Sequence, residues 1–216
     1  IISVSFSNNA VSQSTANNWV FGVGGGLTFD NNTPANAPSN YQSSMNQWEG
    51  VATMSDDNGD LLFYTDGASI YDELENIVND PNSTSSPHEL KGDPSSTQSA
   101  IIVPDPADDE QYYIFTVDAF ANTDGLQYVI YNPYSEEMTV PILLDGNVTE
   151  KLTAVKKGDN SGYYIVSHDW DNDAFLVYMV DCNGLTTLLP QNVGADHNNG
   201  TNSTLGYMKF NSDGTK

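Results

Sequence analysis

An all-β fold of four-stranded antiparallel units, a β-propeller, is predicted by three recurring features of this 216-residue chain. An apolar phrase returns at Gly50 to Ser55, Ser99 to Pro104, Lys151 to Lys156 and Leu205 to Phe210. Its third positions, Ala52, Ile101, Ala154 and Met208, are separated by 49, 53 and 54 residues. A polar turn follows each phrase, as in Asp56-Asp57-Asn58-Gly59-Asp60, and after three of the turns comes an aromatic-rich strand. These strands are Leu61 to Asp66, Tyr112 to Asp118 and Tyr163 to His168. Self-similarity at a fixed period marks stacked supersecondary units, because one small sheet cannot bury both of its faces alone.

The elements follow in order. Residues 1–16 are a lead-in with a β-like stretch from Ile1 to Phe6. Asn18 to Gly22 starts a strand, Gly24 to Gly26 turns, and Leu27 to Phe29 returns. Asp30 to Asn46 is rich in Asn, Pro, Ser and Ala and reads as a loop. The rest of residues 17–216 divides into blades at about 47–92, 96–146 and 149–195, with a further blade beginning at 204. Leu126 to Tyr131 and Ala174 to Val180 supply third strands by their period-two pattern. Met138 to Leu144 and Leu185 to Leu189 supply outer fourth strands, and Pro141 fits an edge because proline cannot donate to a ladder. Asn58-Gly59 between two strands predicts a type I′ turn. A ring must close to hide its edges. Four blades' worth of repeats therefore predicts a longer chain, roughly 300 to 350 residues for a ring of six or seven.

Composition narrows the function classes. Twenty-nine acidic residues against 6 basic ones give a formal charge of −23. Such a field disfavours capture of nucleic acid or of an anionic membrane surface. No apolar run approaches the length of a membrane span, so direct insertion is not expected. Cys182 is the single cysteine, which rules out an intrachain disulfide. No H-x-x-x-H, C-x-x-C or G-x-S-x-G pattern occurs, and His88, His168 and His197 are isolated in sequence. Zinc hydrolysis and a nucleophile elbow therefore have no support.

Several phrases, in order, resemble a family of extracellular repeat proteins from gliding and related Bacteroidetes. They are Asn18 to Gly22 with Gly26 to Phe29, Glu49 to Asp56, Asn58 to Gly67, Gly92 to Ser99, Tyr112 to Asp118, Thr149 to Val155 and Leu205 to Lys209. The resemblance implies an N-terminal propeller-like domain on a secreted or cell-surface protein that is exported by type IX secretion. It also implies contact with secretion or anchoring machinery and a role in adhesion or gliding motility. It implies no catalytic residues.

Antiparallel order places candidate site residues on one end of the units, because strand one leaves that end and strand two returns to it. Glu49, Thr97, Gln98, Glu150 and Lys151 come from strand starts. Asp66, Asp118, His168, Asp169 and Trp170 come from second-strand ends. A mouth of carboxylates, an amide, an imidazole and an indole suits a glycan or a peptide. Asp66 and Asp118 are equally readable as caps on neighbouring backbone N–H groups. Asp169, Asp171 and Asp173 stand at alternate positions, a spacing compatible with calcium, although an EF-hand's glycine and distal Glu are missing. Three functions remain open: a non-catalytic binding or scaffold module, a glycan hydrolase using a pair such as Glu49 and Asp118, and a purely structural head.

Overall fold

The computed structural model describes residues 14–29, 38–78, 90–120, 124–197, 202–211 and 214. The stretch at Ile1 to Phe6 and His88 lie outside the described residues. The chain is all-β, and its described residues form four antiparallel sheets consecutively along the sequence. The first holds β1 (Asn18–Phe21), β2 (Val23–Thr28) and β3 (Ser39–Asn46). The second holds β4 (Ala52–Ser55), β5 (Leu61–Thr65) and β6 (Ile70–Asp72). The third orders β7 (Ala100–Asp105), β8 (Asp108–Val117), β9 (Leu126–Asn132) and β10 (Glu137–Met138), with β11 (Ile142–Asp145) also on β9. The fourth orders β12 (Val148–Lys156), β13 (Gly162–Asp169), β14 (Ala174–Asp181) and β15 (Gly184–Thr187), with β16 (Gln191–Asn192) also on β14.

Period-two alternation serves two cores at once. In β8, Tyr112 and Ile114 join Phe63, Val129 and Tyr131 in a core shared with the second sheet. Their neighbours Tyr113, Phe115 and Val117 join Leu152, Ile165 and Tyr178 in a core shared with the fourth. In β5, Phe63 faces the third sheet, whereas Tyr64 packs with Val20, Met45 and Tyr71 towards the first. Central strands buried on both faces read as near-continuous apolar runs. The aromatic rings supply much of that burial: Phe63 meets Tyr131 edge-on at 5.0 Å, and Tyr64 stacks on Tyr71 at 4.9 Å. Each fully buried Phe contributes about 1.5–3 kcal/mol.

The first strands of successive sheets lie side by side: β1 neighbours β4, β4 neighbours β7, and β7 neighbours β12. Ala52, Ile101 and Ala154 line one cavity of about 420 Å³ between them. Met208 does not share it. It lines a second cavity, of about 530 Å³, with Val166 and Phe175. Leu205 to Phe210, read as a first strand, enters no ladder among the described residues, so no strand pairing sets its register against the other repeats.

Three further differences have local causes. Ser39–Asn46, read as loop, is a full strand whose buried positions include Ser43 and Met45. Pairing with β2 supplies its order, and a buried serine hides the alternation from a hydrophobicity reading. The outer strands are each split: β10 and β11 flank Pro141, and β15 and β16 flank Pro190. The turn after β4 is not type I′, which needs positive φ at both central residues. Within it Gly59 alone has positive φ, 92°, and Asp56 N donates to Asp60 O at 2.9 Å.

Candidate functional site

Hydrogen bonds tie the starts of the first strands together and so define the mouth. Gly50 N donates to Ser96 O at 3.3 Å, and the Ser99 hydroxyl donates to Gly50 O at 2.5 Å. Glu150 lies in β12 yet bonds to Thr97, which precedes β7, at 2.9 Å from the amide and 2.8 Å from the hydroxyl. Gly206 N donates to the Thr97 hydroxyl at 3.2 Å. Gln98, Thr97, Glu150 and Lys151 are thus brought together.

The mouth carboxylates are mostly engaged. Glu150, fully buried, also accepts from Phe120 N at 3.4 Å. Asp66 Oδ1 accepts from Ala68 N at 2.9 Å and Ser69 N at 2.7 Å, while its Oδ2 accepts from the Tyr71 hydroxyl at 3.2 Å. Asp118 Oδ1 accepts from Ala119 N at 2.8 Å, and its Oδ2 from Asp124 N at 3.2 Å. Asp66 and Asp118 therefore act as turn caps. Glu49 is exposed.

The cations and the histidine are also committed. The Lys151 ammonium donates to the Leu205 carbonyl. Burial lowers its pKa, and the neighbouring Glu150 charge opposes that shift. Gln98 donates to Ala100 O at 3.2 Å and accepts from Lys209 Nζ at 3.0 Å. His168, 1% exposed, must carry its proton on Nδ1, because that atom faces the Asp169 carbonyl at 2.7 Å. The same logic puts the His197 proton on Nδ1, facing Ser203 O at 2.7 Å. The two rings pack at 4.1 Å, and His168 Nε2 is buried without a partner. Burial lowers the His168 pKa, with His197 and Lys151 adding to the shift.

The calcium expectation meets a different use of the same oxygens. Asp169 accepts from Trp170 N at 2.8 Å and Asn172 Nδ2 at 2.6 Å, and Asp173 accepts from Asn192 Nδ2 at 2.9 Å. Asp171 has positive φ, 65°. Among the described residues no three His, Cys, Asp or Glu side chains gather as metal ligands.

Two aromatic residues at the mouth escape a sequence reading. Trp48, directly before Glu49, is 86% exposed, and Phe120, just past β8, is 61% exposed. Phe120 has φ 54°, a left-handed conformation that costs a non-glycine residue about 1 kcal/mol or more. Trp170, which the sequence singles out, is half-buried. Period-two patterning marks which strand residues alternate; it is silent on loop rings.

No family model matches this chain, and no curated protein matches it. Among solved structures, it is similar to a crystal structure assigned as an exo-beta-1,3-galactanase from Bifidobacterium bifidum s17. The identity is 14% and the TM-score 0.38, over 85% of this chain and 51% of that one. The chain thus spans about half the length of that protein.

Proposed function

We propose that this chain is a non-catalytic binding module of an exported, surface-associated protein, arranged as sectors of a β-propeller that present one loop-bearing end to a ligand. The propeller reading is supported by the consecutive four-sheet topology, by a core between each pair of neighbouring sheets, and by first strands that share one cavity. The exported location rests on the family resemblance and accords with the −23 charge.

The observation that carries the non-catalytic reading is the state of the mouth carboxylates. Asp66, Asp118 and Glu150 are buried, with their oxygens on backbone N–H and hydroxyl groups. Glycoside hydrolysis needs two carboxyl groups facing the scissile bond, one to give a proton and one to attack or activate water. Residues already serving as caps are poor candidates for either task. The test is incubation with polysaccharides and measurement of reducing ends: none should be released. Turnover abolished by Glu49→Gln or Asp118→Asn would establish the hydrolase reading instead.

A further inference from the structure

We infer that the mouth binds an uncharged oligosaccharide, with Trp48 as its principal stacking platform and Phe120 as a second; this rests on the binding-module reading and names its ligand class. Trp48 is the most exposed large hydrophobic side chain among the described residues. The backbone that carries this indole is fixed in place. The Trp48 backbone N–H donates to Gln47 Oε1 at 2.7 Å. Gln47 is 1% exposed, and its Nε2 donates to Gly50 O and Asp66 O, each at 2.9 Å. Gln47 N donates to Gly22 O at 3.0 Å, so the short segment is fastened to the first and second sheets. A fixed backbone lowers the ordering cost that binding would otherwise incur.

Phe120 stands just past β8 in the third sheet, its amide on Glu150 and its backbone at positive φ. The two rings come from separate loops, with exposed Glu49 beside the first. A protein partner asks for a contiguous apolar centre with a polar rim. Isolated rings among hydroxyls, amides and carboxylates instead suit a sugar, whose C–H face stacks on the ring while its hydroxyls reach polar neighbours. Charge selects the kind of sugar. The chain carries −23, and the mouth's Lys151 and Lys209 already donate to Leu205 O and Gln98. Uronate or sulfated chains would meet the repulsion of that negative field.

The experiment titrates the full chain with cello-, xylo-, laminari- and galacto-oligosaccharides and with oligogalacturonate, following tryptophan fluorescence and calorimetric heat. The expected result is saturable binding of at least one neutral series and none of oligogalacturonate. Trp48→Ala should weaken that binding at least tenfold, with an unchanged melting temperature; Phe120→Ala should weaken it less. No binding by any neutral series, equal binding by oligogalacturonate, or a Trp48→Ala variant that binds as the parent does would each overturn the inference. Reducing-end release in the same tubes would overturn the non-catalytic reading independently of which sugar binds.

Discussion

Glu150 and Thr97, 53 residues apart in sequence, form a buried two-point clasp: the Thr97 amide and hydroxyl both donate to Glu150 Oε2, at 2.9 and 2.8 Å. The clasp joins the third sheet to the fourth at the mouth. A carboxylate fully withdrawn from water is tolerated when donors replace its hydration. Glu150→Ala leaves the Thr97 and Phe120 donors without their charged acceptor, an expected loss of about 3 kcal/mol. Thermal unfolding should fall by about 6–12 °C. Thr97→Val should lose about 1 kcal/mol, and the double mutant less than the sum. An additive pair would show that the clasp contributes no coupling.

His168 gives the fold a pH dependence near neutrality. Its folded pKa is lowered from the ordinary 6.5, chiefly by burial, so the unfolded chain binds the extra proton first as pH falls. Its contribution to stability is therefore complete above pH 6.5 and declines as pH drops through the lower, folded value. Melting curves between pH 7.5 and 5 should show this decline, and His168→Gln should flatten it. A parent protein with a flat profile over that window would contradict the assignment.

Gln47 and Trp48 are adjacent but should differ in what their loss does to stability. Gln47→Ala strips partners from Gly50 O, Asp66 O and Trp48 N and should destabilise by about 2 kcal/mol. Trp48→Ala removes an exposed ring and should stay within about 0.5 kcal/mol. Denaturant midpoints for the two variants decide the point.

Gly50 is required for space. A Cβ there would lie 2.3 Å from Ser99 N and 2.8 Å from Gln98 Cα, both backbone atoms that cannot swing aside. Gly50→Ala should cost about 1–3 kcal/mol, read from the same midpoints.

Calcium should leave the protein unchanged. Asp169 and Asp173 already accept from Asn172 and Asn192, and among the described residues no three His, Cys, Asp or Glu side chains gather around an ion position. Chelator and added calcium should give the same melting temperature; a rise with calcium would restore the loop at 169–173 as a metal site.

Much of the strand content was legible from local pattern. Burial alternates along Leu126–Asn132 and Ala174–Asp181, and Leu61–Thr65 is a short apolar and aromatic run bounded by polar turns; both signals are local and need no knowledge of partners. Ser39–Asn46 was not legible, because Ser43 fills a buried place and the ladder with β2 supplies its order. The same divide runs through the site. The residue types at the mouth can be listed from antiparallel order alone, yet whether a carboxylate stays available cannot.

By itself the amino-acid sequence determined an acidic all-β chain of recurring hairpins, with a named set of polar groups at one end of them. Tertiary structure alone decided that Glu150 clasps Thr97, that Asp66 and Asp118 cap turns, and that Trp48 stands in solvent. The reason is range. Alternation and turn chemistry act over a few residues, whereas the fate of a donor, a carboxylate or a ring depends on what the chain brings beside it from tens of residues away.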